Sequence, residues 1–497
     1  MKHFIIPKEV TRITQTLEDG GFEAFLVGGC VRDLILERTP KDWDITTNAR
    51  PEQILELFPD SFYENDFGTV GVVNRESTDK IVGETLRTIE VTPYRIESSY
   101  TDNRHPDIVT FSQNIADDIG RRDFTMNSLA YSVSQETLLD MYNGQQDITS
   151  KTIRTVGNAD DRFKEDALRI LRAIRFHTEL SFTISIETEE AILNTKHLLA
   201  KISKERIRDE FTKIILSPQP MSGLLMLQKL WLLEYIIPEL EKTIGVEQNQ
   251  AHSYDVWEHL LRSVQHAADK NYPLDIRLTA LFHDISKPET RRWDKNGGAG
   301  HGQWTFYGHE VVGSRVTRKI LTDLRYPTKL IEKITTMVRW HMFFSDTELI
   351  SLSAVRRMIA NVGRDNIWDL MNVRICDRIG TGRPKEDPYR LRKYHAMIDE
   401  ALRDPITVGM LKIDGKKIMQ VTQITPGPKI GFVLHALLEE VLDDPTKNTE
   451  KYLESEAQKL ILLDEKELKV LGEKGKQSKE EADEEEIKKI RSKHWVK

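Results

Sequence analysis

The sequence predicts an α+β chain, with an N-terminal head built on a mixed or antiparallel sheet with helices, and helical modules from there to the C-terminus. Before residue 150 the apolar residues alternate in the short runs FEAFLVGG, WDITT, TVGVV, RTIEVTPYR and LAYSVS, the spacing of strands with one buried face. Gly, Asn and Asp turns separate these runs. From about residue 160 the apolar residues recur at three and four, as in DALRILRAIRF and HLLAKISKERIRDEFTKIIL, and alternation nearly vanishes. Length is the remaining observation: 497 residues exceed one core and correspond to about three or four domains.

Charged residues make up 30% of the chain and hydrophobic residues 39%, a soluble globular balance with no apolar run long enough to span a bilayer. The N-terminal MKHFIIPKEV is too short in apolar residues for a signal-peptide core, which argues against export and predicts a cytoplasmic location. Cys30 and Cys376 are the only cysteines; they lack the spacing of a zinc site and are expected as ordinary buried thiols. A net charge of −8 argues mildly against a nucleic-acid partner. Much of the acid, however, lies in the tail, as in EEADEEE at 480–486, while KISKERIRDEFTK at 201–213 is rich in base.

Composition breaks at EKTIGVEQNQAHS (241–253) and GTGRPKEDP (380–388) suggest boundaries. The expected organisation is a head over 1–145, a helical neck and body over 146–245, a histidine-bearing domain over 246–395, a C-terminal helical region over 396–464 and a charged tail over 465–497. Within the fourth segment a helix is expected to start after the PGP of LKIDGKKIMQVTQITPGPKIGFVLHALLEEVL.

The first chemical constellation is GGCVRDLILERTPKDWD at 28–44. Alternation in WDIT predicts Asp42 and Asp44 on one face of a strand, where two carboxylates can share a pair of Mg²⁺ ions. Glu90, in the alternating run RTIEVTPYR, is the candidate third acid if a neighbouring strand brings it alongside. A lone pair of acids is common on surfaces, but Gly28 and Gly29 close the preceding strand and would let backbone N–H groups approach phosphates. Arg32 would add a charge-assisted contact to a triphosphate. The alternative for the glycine pair is a tight strand-to-helix turn with no ligand.

LVGGCVRD, DWDITTNA, RRDFTMNSLA (121–130), EDALRILRAIRF (165–176) and SKERIRDEFTKIIL (203–216), in that order, resemble the bacterial class II tRNA nucleotidyltransferase and poly(A) polymerase family over roughly the first half of the chain. The resemblance implies a DNA polymerase β-like nucleotidyltransferase head followed by helical regions that hold RNA. It implies metal binding by Asp42 and Asp44, and ribose and phosphate contacts from Arg122, Asp123 and Asn127.

On one continuous helix Asp166 and Arg169 would share a face opposite the stripe Ala167, Leu171 and Ile174. A carboxylate beside a guanidinium offers an acceptor next to a donor, which matches the exocyclic amine and ring nitrogen of cytosine and adenine and mismatches uracil and guanine. The resemblance implies this template role, with Arg172 and Arg175 assisting; the alternative is a surface ion pair worth about 0.2–0.5 kcal/mol. Enzymes of this family that add only CC lack a flexible loop; YRIESSYTDNRHPDIVTF (94–111), with Arg95, Arg104 and His105, is similar to that loop, which favours complete CCA addition. A-adding enzymes and poly(A) polymerases of the family stay open as alternatives, the latter lowered by a tail that mixes Lys with many Glu.

The second constellation is His259 in YDVWEHLL, His283 and Asp284 in LTALFHDISKPE, His309 in FYGHEVVG, His341 in VRWHM and Asp377 in VRICDRIGTGR. Imidazoles with carboxylates suit Mn, Fe, Co, Ni or Zn better than Mg alone. The order resembles the all-helical HD phosphohydrolase superfamily, which implies a metal set of His259, His283, Asp284 and Asp377, with His309 and His341 able to hold a second ion and Lys287 near the bridging or leaving phosphate. The chemistry implied is attack of an activated water on a phosphoester. The expected partners are the 3′ end of tRNA, CTP and ATP, with neither DNA nor a membrane among them. Two further readings stay open: a phosphohydrolase whose head only binds RNA, and a helical body without metal.

Overall fold

The computed structural model describes residues 4–64, 68–74, 82–98, 108–249, 253–295, 302–342 and 350–472. Arg104, His105 and the tail after residue 472 lie outside the described residues. The chain divides into two compact units, Met1–Ile236 and Ile237–Lys497.

The first unit carries a seven-stranded sheet. Its strands are β1 (Ala24–Val27), β2 (Asp44–Thr47), β3 (Ser61–Tyr63), β4 (Val70–Val73), β5 (Thr88–Pro93), β8 (Leu129–Ser132) and β9 (Thr137–Asp140), in the spatial order β3-β4-β5-β2-β1-β8-β9. β6 (Arg95–Ser98) and β7 (Ile108–Phe111) form a separate antiparallel pair. All neighbours in the large sheet are antiparallel except β2 and β5, whose parallel register sets Asp44 opposite Glu90. The helices of the head are α1 (Lys8–Asp19), α2 (Gly29–Ile35), α3 (Pro51–Leu57), α4 (Val82–Arg87), α5 (Ile115–Gly120) and α6 (Gly144–Thr149). In α1 the buried side chains Val10, Ile13, Thr14 and Leu17 fall at helical spacing, so one face meets the core.

Beyond the head, β10 (Thr152–Ile153) pairs in parallel with β11 (Thr183–Ile184) among α7 (Ala159–Glu165), α8 (Leu168–Leu180), α9 (Ile186–Thr195), α10 (Lys204–Leu216), α11 (Pro220–Lys229) and α12 (Leu233–Ile236). On α8 Ile170, Leu171, Ala173, Ile174 and Phe176 are buried, while the three arginines between them keep some exposure.

Among the described residues the second unit is helical apart from the antiparallel pair β12 (Arg292–Asp294) and β13 (Gln303–Thr305). α13 (Pro238–Glu241), α14 (Val256–Asp269), α15 (Leu274–Phe282), α16 (Lys287–Thr290), α17 (His309–Asp323), α18 (Thr328–Trp340), α19 (Leu352–Val362) and α20 (Ile367–Gly380) precede α21 (Tyr389–Ala401), α22 (Gly415–Thr422), α23 (Pro428–Asp443), α24 (Glu450–Leu460) and α25 (Glu465–Gly472). α23 starts where the PGP signal places it, with Gly427 as N-cap and Pro428 in the first turn. α14 and α20 approach closely because Gly380 carries no side chain: a Cβ there would stand 2.1 Å from Ser263 Oγ and 2.8 Å from the His259 carbonyl oxygen.

Two local expectations are corrected. Asp42 does not share a strand with Asp44, because β2 begins at Asp44; the neighbouring β1 ends at Val27, opposite Asp44, and leaves Asp42 no ladder partner. Asp166 and Arg169 do not lie on one continuous helix. Asp166 is extended (φ −145°, ψ 103°) between α7 and α8, and its Oδ1 accepts from the Leu168 N–H at 3.0 Å, so it caps the second helix and breaks the first.

Candidate functional site

In the head, the end of β1 and the register of β5 place Asp44 between Gly28 and Glu90. Gly28 has φ 76°, and a Cβ on it would come within 2.9 Å of Arg122 Nη1 and 3.4 Å of Asp44 Oδ2. Any side chain there would fill the space beside both groups. Gly29 opens α2 and is less constrained, its virtual Cβ meeting only Arg32 at 3.7 Å.

Burial raises the Asp44 carboxyl above its ordinary value; Arg122 pulls it back, and Asp42 adds to the rise. Burial raises Glu90 as well, followed by the charges of Asp44, Glu64 and Asp42. These couplings bring the expected acids Asp42, Asp44 and Glu90 into one field and add Glu64. Carboxylates that repel one another in this way gain by sharing a divalent cation.

Arg122 is held by Asp118, a fully buried carboxylate on α5 that the sequence reading missed. Asp118 Oδ2 accepts from Arg122 Nη2 at 3.1 Å and from Thr46 Oγ1 at 3.2 Å, while Oδ1 accepts from Arg121 Nε and Nη2 at 3.0 and 2.6 Å. The signal was present as an acid three and four residues before the arginine pair.

A second chain of bonds joins the remaining residues of the nucleotide set. Arg32 Nη1 donates to Asn127 Oδ1 at 2.8 Å, Asn127 Nδ2 to Asp123 Oδ1 at 3.1 Å, and Arg172 Nε to Asp123 Oδ2 at 2.8 Å. Burial works to raise Asp123, but Arg172 and the Asn127 amide outweigh it and hold the carboxyl far below its usual range. The Phe176 ring lies under Arg32, Arg172 and Arg175, at 5.2, 5.6 and 4.2 Å from its centroid. Arg175 forms an ion pair at 2.8 Å with the buried Glu210 of α10.

Asp166 and Arg169 do not pair with each other. Arg206 of α10 holds Asp166 through two bonds of 3.1 and 2.7 Å, and Arg169 bonds to Glu165 Oε2 at 2.5 Å and to the carbonyls of Arg162 and Arg121 at 3.0 and 3.2 Å. Arg206, Glu165, Phe176 and Glu210 were all visible in the motifs, but their partners are long-range or lie across a helix break that spacing alone does not show.

In the second unit five helices converge on one buried cluster. His259 comes from α14, His283 from the end of α15, Asp284 from the residue after it, and Asp377 from α20, with donor atoms all within 4.8 Å of one another. His309 opens α17 and His341 follows α18; with Asp284 they form a second group of the same tightness. Among the described residues these are the two groups that close to this degree. Asp284 belongs to both: Oδ2 lies 3.2 and 3.3 Å from His259 and His283 Nε2, and Oδ1 lies 3.0 and 3.5 Å from His309 and His341 Nε2.

The Nδ1 atoms of His283, His309 and His341 lie 2.9, 2.7 and 2.7 Å from the carbonyls of Ala280, Phe306 and Val338. A carbonyl only accepts, so each Nδ1 donates and each Nε2 is aimed into the cluster. The Nε2 atoms of His259 and His283 stand 2.9 Å apart, a spacing that requires a proton or a cation between two lone pairs. The residues fit a divalent ion on this donor chemistry. Lys287 Nζ reaches Asp284 Oδ2 at 2.6 Å and Gln248 Oε1 at 2.6 Å.

Burial pushes His283 down, but Asp284 and Asp377 outweigh it and raise the imidazole to about 10. Burial presses His341 down to about 4, Asp284 opposing and His283 and His309 adding. A cavity of about 1060 Å³ opens onto Asp284, His309, His341 and Asp377.

Residues 24–154 match the poly A polymerase head domain, 181–244 the probable RNA and SrmB-binding site of polymerase A, and 251–382 the HD domain. The chain is 47% identical over 205 residues to a CCA-adding enzyme of Lactobacillus delbrueckii, covering 41% of this chain and 49% of that one. It thus spans about half the length of such curated relatives. To the A-adding tRNA nucleotidyltransferase of Deinococcus radiodurans it is 32% identical over 346 residues, 67% of this chain and 76% of that one. The crystal structure of the Bacillus stearothermophilus CCA-adding enzyme in complex with CTP superposes with TM-score 0.66 at 25% identity, covering 92% of this chain and 98% of that one. The Thermotoga maritima CCA-adding enzyme complexed with tRNA shares the fold at TM-score 0.53 and 19% identity, covering 92% and 97%. No helix among the described residues is long and apolar enough to cross a membrane.

Proposed function

The chain belongs to the tRNA nucleotidyltransferase and poly(A) polymerase family, and from that premise we propose that it adds C, C and A to the 3′ end of tRNA from CTP and ATP, in the cytoplasm, and hydrolyses phosphoesters at its HD site. One observation carries the reading of the head: a half-buried carboxylate, Asp44, flanked by a side-chain-free Gly28 just past β1 and by Glu90 on β5, with Arg122 alongside. Mg²⁺ held by Asp42, Asp44 and Glu90 would supply activation of the tRNA 3′ hydroxyl and charge neutralisation at pyrophosphate.

The chain's own groups do the rest. Gly28 and Gly29 admit the triphosphate, Arg122 and Arg32 meet its charge, and Asp123 with Asn127 and Arg172 forms a braced polar wall toward the ribose. Asp166 and Arg169 present an acceptor and a donor from the α7–α8 junction to the base edge, with Arg206 and Glu165 bracing them. In the second unit Asp284, bridging both histidine groups, would hold one or two transition-metal ions, which supply Lewis acidity toward a phosphoester. Lys287 and Arg374 bring positive charge next to Asp284 and Asp377.

The test offers purified protein three tRNA transcripts, ending at the discriminator base, after CC and after CCA, with CTP and ATP singly and together. Growth of the shortest by CCA and then arrest is expected. Addition of A to the CC-ended transcript alone would make it an A-adding enzyme, and unlimited A on every RNA a poly(A) polymerase.

A further inference from the structure

α20 carries more positive charge toward the HD cavity than its metal ligands use. Arg374, Asp377 and Arg378 fall at helical spacing on one face of α20, and all three line the cavity together with Thr381 and Arg383 just past the helix end. Arg374 is ion-paired to Asp377, and Lys287 to Asp284, so these two cations sit against the proposed ligand carboxylates. Arg378 and Arg383 lie further along the wall.

Arg378 Nε donates to the Lys385 carbonyl at 2.6 Å, and Arg383 is exposed. Three guanidinium groups lining one cavity suit a site for more than one anionic group. An aromatic part of the cavity lining is made of Trp304 on β13, Phe306 and Tyr307, the last about half exposed. Its geometry is fixed by Arg291, which stacks on Trp304 at 3.6 Å. A cavity of about 1060 Å³ is at the upper end of the roughly 300–1,000 Å³ that small ligands need, and exceeds what one nucleotide fills.

We propose that Arg378 and Arg383 form a subsite for a second phosphate, so that the HD site takes the phosphorylated 3′ end of a single-stranded oligoribonucleotide in preference to a mononucleotide. The inference rests on the HD site being a phosphoesterase, as put forward above. The terminal phosphoester lies over the histidine cluster, the preceding phosphodiester meets Arg378 and Arg383, and the bases face Tyr307 and Trp304. In the reaction water adds to the terminal phosphorus, the bond from phosphorus to the ribose 3′ oxygen breaks, and that oxygen takes a proton. The products are inorganic phosphate and an RNA with a free 3′ hydroxyl, which is the acceptor that the proposed head reaction consumes.

The experiment uses the full chain loaded with Mn²⁺ and compares adenosine 3′-phosphate, the trinucleotide CpCpAp and adenosine 5′-diphosphate at low and high salt. The trinucleotide is expected to have at least a tenfold higher kcat/KM than the mononucleotide, carried mainly by KM and shrinking as salt rises. Arg383→Ala, at an exposed position, is expected to bring the two substrates to within about threefold, and Arg383→Lys to recover most of the preference. Equilibrium binding of CpCpAp in EDTA gives a readout apart from turnover, and Arg383→Ala should weaken it severalfold.

Hydrolysis of all phosphoesters at similar kcat/KM would overturn the second-phosphate subsite while leaving the phosphoesterase reading intact. A preference for the diphosphate, or equal loss on both 3′-phosphate substrates in Arg383→Ala, would also overturn it. Absence of any phosphoester hydrolysis would sink both.

Discussion

At Asp44 stability and chemistry pull in opposite directions. Its carboxyl is raised in the fold by burial, against Arg122 and with Asp42. A carboxyl raised on folding favours the fold below its unfolded pKa and loses that contribution as pH rises through the folded value. At pH 7 and in chelator, ionised Asp44 is therefore a cost. Asp44→Asn should abolish nucleotide addition yet raise the melting midpoint of the first unit by on the order of 2 °C, read by calorimetry in EDTA; a lower midpoint would refute the burial argument.

His283 carries the opposite sign. Raised to about 10, its contribution to the metal-free fold is complete below the unfolded value and is lost as pH climbs through about 10. A metal must displace that proton, whereas His341, pressed to about 4, is neutral at pH 7. Mn²⁺ or Zn²⁺ affinity should rise about tenfold per pH unit for each proton displaced between pH 7 and 9, and calorimetry in two buffers of different ionisation enthalpy counts those protons. The members of the histidine cluster were legible because imidazole and carboxylate are rare in buried helical faces; Asp118 was not, because an acid before two arginines looks like a surface ion pair until burial is known.

Helices were legible where one periodicity ran unbroken, as in α8 and α23. The failures came where a side chain competes with the backbone. Asp166 spends one carboxylate oxygen on the N–H that starts α8, so the face expected for Asp166 and Arg169 is cut in two, and Arg206 takes the partner's place. Strand β2 starts late because β1 turns away at Gly28, a long-range fact no local alternation records. The α14–α20 contact gives an element-scale test. Gly380→Ala should push the two helices apart, cost about 1–3 kcal/mol and lower metal occupancy by separating Asp377 from His259. Gly431→Ala on α23, where an added Cβ meets nothing within 4 Å, should leave occupancy unchanged and gain up to about 1 kcal/mol of helix propensity. Melting curves and metal analysis of the two variants read both effects.

Over the whole chain the change from alternating to helical periodicity and the composition break near 241–253 were readable in the sequence, and the chain divides into two compact units between residues 236 and 237. The packing inside the second unit was not, because its core draws on helices from α14 to α25 whose partners lie far apart in sequence. The proposed activities should separate. Glu90→Gln should lower nucleotide addition about a hundredfold or more without changing the metal held by the histidine groups, and Asp284→Asn should empty both of those groups while CCA addition persists, as elemental analysis and transcript extension on the same preparations will show.

The two oxygens of Asp284 serve separate histidine groups, so one side chain is a single point of failure for everything built around them. An aspartate codon becomes an asparagine codon by one base change. A lineage with no use for the hydrolase could therefore discard it in one mutational step, keeping a helical scaffold of nearly the same shape, whereas regaining it after the histidines had drifted would need several coordinated reversions.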